Sequence, residues 1–339
     1  MKLRLTLVAT ALALMAIAPA QAAYPNSIAS TGDSITRAFN DCAFPYVDCP
    51  SASWSTGSHS TLNSHARRIA SVTGGIWVYN DAVTGADMAD LNAQVQNAVS
   101  QRVQYVTILM GANDVCASSE AGMTPVPTFR TQLEKAIATL STGLPNARVF
   151  LSSIPDVYML WAIYKDSFSA RTVWSLAAIC QSMLANAGST SSTDQARRLR
   201  VRQRNIDYNT QLAAVCAAYV HCRYDGGTVF GTAFTRSDVT TRDYFHPSVG
   251  GQTKLASATW GATFNFGDST PPMSTGAIDA GLFSVTSSAD DAGVKGVEYR
   301  LAGGWSRYVG PVAVAPGATI TWRAVDVNGN AEATQSLSG

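Results

Sequence analysis

The sequence predicts an α/β domain whose parallel sheet is covered by helices on both faces, followed by a small antiparallel β-sandwich. Three observations lead there. From Tyr24 to about Phe266, short apolar runs alternate with amphipathic stretches at helical spacing. A segment rich in Gly, Pro, Ser and Thr then follows, which neither a helix nor a central strand can continue. Beyond it, apolar residues recur with period two between turn residues.

Along the chain, Lys2 and Arg4 precede an apolar run from Leu5 to about Ala18, closed by Pro19-Ala20-Gln21-Ala22. This is the pattern of an export signal, assigned to residues 1–22. The run is short for a membrane anchor, and no later stretch approaches the roughly 20 apolar residues a span needs. A secreted, soluble protein is therefore expected. Buried strands are expected at 28–31, 76–80, 105–110, 148–154 and 221–224, and helices at 62–72, 88–99, 128–140, 175–185, 195–218 and 248–260. These elements make one domain, 23–266. In such sheets, functional residues collect in loops beyond the carboxyl ends of the strands. Ser34 and Asn113 each follow an expected strand and so fall on one rim. Residues 267–276 are expected to be a linker, and 277–339 a β module in which Pro311, Pro316-Gly317 and Asn328-Gly329-Asn330 mark turns.

Charge and cysteines narrow the class. Removing the two basic residues of the leader leaves 22 basic against 23 acidic residues, a net charge of −1, which offers nothing to nucleic acid. All six cysteines lie beyond the leader, and an even count in an oxidising compartment favours disulfides. Local spacing suggests Cys42 with Cys49, Cys116 with Cys180, and Cys216 with Cys222. Paired CxxC motifs are absent and the four His are scattered, so neither a metal nor another cofactor is expected.

Three short strings supply the parts for acyl transfer: Gly32-Asp33-Ser34-Ile35, Gly111-Ala112-Asn113-Asp114 and Asp243-Tyr244-Phe245-His246. Ser34, on a turn after a strand, is the candidate nucleophile; alone, Asp33 or Ser34 reads equally as a helix cap. His246 sits three residues after Asp243, close enough for the carboxylate to fix the imidazole tautomer while the other ring nitrogen takes the serine proton. Because that imidazole must be neutral, activity is expected to fall in acid. For the oxyanion, Asn113 offers its side-chain amide and Ser34 its backbone N–H. Gly85 offers a third N–H, or is only a turn glycine. His59, His65 and His221 are expected to be surface or packing residues.

Taken together, these strings resemble the SGNH, or GDSL, hydrolase superfamily across about residues 26–262. Its Ser, Gly, Asn and His correspond to Ser34, Gly85, Asn113 and His246, with Asp243 in the Asp-x-x-His element. The resemblance implies a flavodoxin-like three-layer α/β/α fold and metal-independent ester hydrolysis. Ser30-Thr31 depart from the aromatic or apolar residues often found before the family's Gly, and the GxSxG elbow of α/β-hydrolases is absent. The strings Ser53-Trp54-Ser55-Thr56-Gly57, Gly111 to Cys116 and Asp243 to Ser248 are similar to the phospholipase B-like branch, which implies a lipid acyl-ester substrate. Phe39, Phe44, Tyr46, Trp54, Tyr158, Trp161, Tyr164, Phe168 and Trp174 then either line an acyl groove or form core. The strings YRLAGGWSRYVGPVAV and TWRAVDVNGN resemble the immunoglobulin-like modules of bacterial exported proteins. Asp326, Asn328 and Asn330 suit a tight turn, with a calcium turn as the alternative. Five arginines from Arg197 to Arg204 spread around their helix, which favours a solvated surface over a headgroup site.

The expected function is a secreted serine carboxyl-ester hydrolase of lipase or phospholipase type, a monomer making transient contact with a membrane surface or polysaccharide. A carbohydrate acetyl esterase and an inert surface-binding protein are the alternatives.

Overall fold

The computed structural model describes residues 24–288 and 291–339, so the expected leader lies outside the described residues. Five strands, β1 (Ser27–Gly32), β2 (Trp77–Asn80), β3 (Tyr105–Leu109), β4 (Arg148–Leu151) and β5 (Cys222–Tyr224), form a parallel sheet in the order β2-β1-β3-β4-β5. This is the doubly wound flavodoxin-like order, which reverses direction between β1 and β3 and opens a crevice at their carboxyl ends. Every residue of β1, β3 and β4 is buried, as strands between two helical layers should be, while edge strand β2 is partly exposed. Strand β4 stops at Leu151 rather than at 154, where Ser153 turns its hydroxyl to Asp225 Oδ2 at 2.7 Å.

Nine α-helices follow the strands among the described residues: α1 (His65–Thr73), α2 (Leu91–Gln101), α3 (Ala112–Val115), α4 (Val126–Gly143), α5 (Val157–Tyr164), α6 (Phe168–Leu176), α7 (Gln181–Leu184), α8 (Ser192–Ala217) and α9 (Val249–Ala262). Ser64, Ser191 and Ser248 cap α1, α8 and α9, their hydroxyls accepting from Arg67, Asp194 and Gly251 N–H. Helices α2, α4 and α8 pack side by side. Helix α1 is joined to α9 by buried His65, whose ring nitrogens bond Tyr105 and Thr259 hydroxyls at 2.9 Å.

Three departures from the sequence expectation have local causes. The stretch 175–185 is not one helix, because Ala178 and Cys180 adopt positive φ (49° and 45°) where the Cys116–Cys180 bridge and the Ser182 bond to Val115 O tie the chain to α3. Helix α5 was hidden because VYMLWAIY is apolar all round and shows no stripe; its cap is Asp156, accepting from Tyr158 N–H at 3.0 Å. The arginines of α8 form a solvated face only in part: Arg198 is buried on Ser189 O and Asn186 O, Arg197 reaches Ala185 O and Arg204 reaches Thr124 O, while exposed Arg200 and partly exposed Arg202 pair with Glu120 and Asp156.

After α9 the chain builds two antiparallel sheets from β6 (Met273–Asp279), β7 (Leu282–Ser288), β8 (Val294–Arg300), β9 (Ser306–Arg307), β10 (Val312–Ala313), β11 (Thr319–Asp326) and β12 (Gln335–Ser338). Their orders are β10-β7-β6 and β12-β11-β8-β9, around Phe283, Val297, Ile320, Trp322 and Ala324. The stretch read as linker, 267–276, is corrected here: β6 already begins at Met273. Ser274 Oγ accepts from Trp322 Nε1 at 3.0 Å, and a Cβ on Gly276 would fall 2.7 Å from the Trp322 ring, so this Gly serves close packing. Asp326, Asn328 and Asn330 form a tight turn. Asp326 Oδ1 accepts from the N–H of Asn328 and Asn330, while the Asn328 and Asn330 side-chain oxygens accept from Arg223 and Arg148 of the first sheet. Those oxygens are engaged by protein donors, which argues against the calcium alternative.

Candidate active site

The site is assembled at the crevice between β1 and β3. Gly32 ends β1 with φ 146°, and a Cβ there would lie 2.3 Å from Leu109 O. The buried Gln94 side chain holds this residue from both sides, accepting from Gly32 N at 2.8 Å and donating to Gly32 O at 2.9 Å. Asp33 then turns the chain: its Oδ1 accepts from Ile35 N–H at 2.8 Å, an Asx turn that presents Ser34 at the strand end. Gln252 of α9 fixes the far side of the turn through Ile35 O at 2.7 Å. The helix-cap alternative for Ser34 does not apply, since residues 34–40 form turns and no helix starts there.

His246 Nε2 lies 2.8 Å from Ser34 Oγ, and His246 Nδ1 lies 2.7 Å from Asp243 Oδ2. Asp243 is buried, and its second oxygen, Oδ1, accepts from the N–H of Phe245 (2.8 Å) and His246 (3.0 Å). Burial works to raise its pKa, but the His246 hydrogen bond and charge, with the two backbone donors, outweigh it and hold the carboxyl below its ordinary value. The turn carrying this pair has Tyr244 at φ 56° and is closed by Thr240 N–H to His246 O at 2.9 Å. The imidazole is flanked by the rings of Phe39 and Phe245 at centroid distances of 5.0 and 5.1 Å.

The candidate oxyanion donors are connected by a chain of hydrogen bonds. Val83 N–H donates to Gly32 O at 3.1 Å, Ala86 N–H to Val83 O at 3.1 Å, and Asn113 Nδ2 to Ala86 O at 2.8 Å. The loop bearing Gly85 is thereby tied at one end to the residue two before Ser34 and at the other to Asn113. Gly85 is exposed with φ 85°, a conformation suited to Gly. Its N–H, the Ser34 N–H and the second amide hydrogen of Asn113 have no protein acceptor among the described residues. Neighbouring Asp114 holds Met88 N–H at 2.9 Å; burial pushes its carboxyl up to about 6. Asp33 is pushed up to about 7, again by burial, with one oxygen lacking a hydrogen-bond partner.

A cavity of about 70 Å³ with mostly apolar walls opens beside these groups. Its lining includes Ile35, Ala112, Phe245 and Pro247, the chain neighbours of Ser34, Asn113 and His246, together with Leu160 and Ile163 of α5. The nine aromatics read as groove or core do not line it. Trp54, Tyr164 and Trp174 are core, whereas Phe44, Tyr46 and Phe168 are exposed. His59 is exposed on Thr61, and His221 packs against Glu298 of the β module.

Sequence reasoning missed Gln94, Gln252 and Asn40, which donates through Nδ2 to Asp243 Oδ2. Two of these had a signal. Gln94 shares a helical face with Leu91, Val95 and Ala98, and Gln252 with Leu255, Ala256 and Thr259; a lone amide on a buried stripe calls for a specific partner. Asn40 had none.

A doubly wound sheet carrying a Ser-His-Asp line at its strand ends defines the class as an α/β/α hydrolase. More particularly, the family model described as GDSL-like Lipase/Acylhydrolase matches residues 28–259, and the chain belongs to that family. Among solved structures it is similar to TesA (16% identity, covering 70% of this chain and 97% of that one, TM-score 0.44). It is also similar to phospholipase A1 from Streptomyces albidoflavus NA297 (13%, 70% and 100%, 0.45). A third likeness is to a single-substitution variant of Axe2, an acetyl xylan esterase from Geobacillus stearothermophilus (15%, 69% and 92%, 0.40). No curated protein matches the chain.

Proposed function

We propose that the protein is a secreted serine carboxyl-ester hydrolase of lipase or phospholipase type, acting through an acyl-enzyme. The unbroken line from Ser34 Oγ through His246 to Asp243, at 2.8 and 2.7 Å, carries this reading. Ser34 attacks the ester carbonyl as His246 Nε2 takes its proton. Asp243 keeps Nδ1 protonated and steadies the imidazolium. The tetrahedral oxyanion is received by the Ser34 and Gly85 N–H groups and the Asn113 amide. His246 then gives its proton to the leaving alcohol, and a water activated the same way releases the acid.

The apolar cavity favours an acyl chain over acetate. Each methylene it buries contributes about 0.8 kcal/mol, roughly fourfold in binding, whereas an acetyl group would leave it unfilled. This supports a lipid acyl ester over a glycan acetate. The leader-like pattern of residues 1–22 and the three disulfides support export. The division into a hydrolase domain (23–266) and an immunoglobulin-like module that begins with β6 at Met273, the latter docking on a polysaccharide or membrane surface, belongs to the same reading. Ser34→Ala tests it: turnover of p-nitrophenyl esters is expected to vanish with the melting temperature unchanged, and retained activity would refute the assignment.

A further inference from the structure

The segment between β1 and α1 holds a feature that the reaction scheme does not use. Cys42 and Cys49 close a small loop, with Cα atoms 5.2 Å apart. The loop is tied to the segment just before it: Asn40 N–H donates to Val47 O at 3.0 Å, Tyr46 N–H to Asn40 Oδ1 at 2.5 Å, and Cys49 N–H to Arg37 O at 3.0 Å. From this loop and the Asn40 that it holds, two arms reach the site. One goes to the acid. Asn40 Nδ2 donates to Asp243 Oδ2, the same oxygen that takes the His246 Nδ1 bond. Arg242, next to Asp243, donates to Asn40 O at 2.8 Å and to Phe44 O and Ala43 O at 3.0 Å. The other goes to the oxyanion side. Asp48 pairs with Arg37 at 3.0 Å and accepts from Thr84 Oγ1 at 2.5 Å, and Thr84 immediately precedes Gly85.

Asn40 itself sits at φ 72°, a left-handed conformation that Asn, Asp and Gly tolerate best. Its amide is spent in two directions. The carbonyl holds the loop through Tyr46, and the N–H group holds Asp243. That second bond fixes the same carboxylate oxygen that faces the imidazole, so its loss leaves Asp243 Oδ2 held by His246 alone.

We propose that the disulfide-closed loop is a brace for catalysis, with Asn40 as the positioning residue for Asp243 and Asp48 as the anchor of the Gly85 loop. This inference rests on the proposed hydrolase reading. Substitutions at position 40 separate the two uses of the amide. Asn40→Asp keeps an acceptor for Tyr46 N–H and tolerates positive φ, but when ionised it has no donor for Asp243 and sets a second negative charge against it, whereas Asn40→Gly adds no charge. Asn40→Gly keeps the backbone conformation and loses both bonds.

The test measures kcat and KM of the full chain at pH 8, with melting temperature and the His246 Nδ1–H proton resonance. For Asn40→Asp, kcat is expected to fall roughly 10- to 100-fold, the scale of a misplacement near 1 Å. KM should stay within about threefold, and the Nδ1–H resonance should shift. Asn40→Gly is expected to lose kcat no more than Asn40→Asp. The Cys42→Ala/Cys49→Ala pair, which opens the loop, is expected to lose at least tenfold. Wild-type kcat and an unmoved resonance in Asn40→Asp would show that the residue only holds the loop, and would overturn the proposal. Absence of ester turnover in the wild type would instead remove the hydrolase reading, and the resonance, which needs no turnover, would still report whether Asn40 sets Asp243.

Discussion

Replacing Asp243 by Asn probes the site where the structure constrains the outcome most. Asp243 Oδ1 accepts from two backbone N–H groups, at 2.8 and 3.0 Å, so the variant's amide oxygen must take that position. The opposite orientation would set an NH₂ against two fixed donors and forfeit two hydrogen bonds, each contributing about 1 kcal/mol net. The amide nitrogen then occupies the place of Oδ2, facing His246 Nδ1 at 2.7 Å. Nδ1 can only accept there, so the imidazole proton moves to Nε2 and points at Ser34 Oγ, which lies 2.8 Å away. A base whose nitrogen already carries a proton cannot take one from Ser34. A tautomer inverted in this way costs about 10⁴-fold in kcat, or about 5.4 kcal/mol of barrier. Confrontation with the Asn40 amide adds a stability loss of about 1–3 kcal/mol, about 2–4 °C in Tm per kcal/mol. Steady-state hydrolysis of a p-nitrophenyl ester, with calorimetry on the same sample, measures both. A loss in kcat smaller than tenfold would refute the reasoning about tautomer control.

Further outcomes follow from other parts of the site. Asn113→Ala removes an oxyanion donor and should lower kcat by about 10²–10³ with little change in KM; steady-state kinetics that show the loss in KM instead would place Asn113 in ground-state binding. Burial raises Asp33 to about 7 from an ordinary 3.8, so the folded state holds a proton that the unfolded chain releases, and stability should fall as pH rises from about 4 to about 7. The span is of order 4 kcal/mol at 1.36 kcal/mol per pKa unit. Asn at this position stays neutral, so the Tm of Asp33→Asn relative to wild type should climb between pH 4 and pH 8, and a constant difference would contradict this. The Cys116–Cys180 bridge closes a separation of 64 residues, which chain entropy values at about 4 kcal/mol; replacing both by Ala should lower the urea midpoint accordingly, and an unchanged midpoint would count against it.

What the sequence disclosed and what it hid differ in physical kind. The parallel strands were legible because strands buried on both faces are short and rich in apolar and β-branched residues, as at 105–110 and 149–151, and because helical stretches separate them. Ser34, Asn113 and the Asp243–His246 turn were legible because the three short strings together offer a nucleophile, an amide donor and a base three residues from its carboxylate. The three cysteine pairs found by local spacing are the pairs the structure forms. Helix α5 escaped because a helix apolar all round has no period to detect, and the break between α6 and α7 because it is imposed by a bond to Cys116 far along the chain. Asn40 escaped for the same reason: its partner lies 203 residues away, and nothing local marks a residue whose function is set by a tertiary contact. The apolar cavity is likewise a product of tertiary assembly. Its wall joins residues next to Ser34, Asn113 and His246 with α5, so aromatic content near the rim was the wrong signal for it.

The central claim is that Ser34 is an activated nucleophile, and covalent trapping addresses it most directly. The protein treated with a fluorophosphonate and digested should carry one phosphonyl adduct, on the peptide containing Ser34, with labelling slowed by the Asp243→Asn substitution. An adduct on another residue, or none under conditions where esters are hydrolysed, would contradict the account.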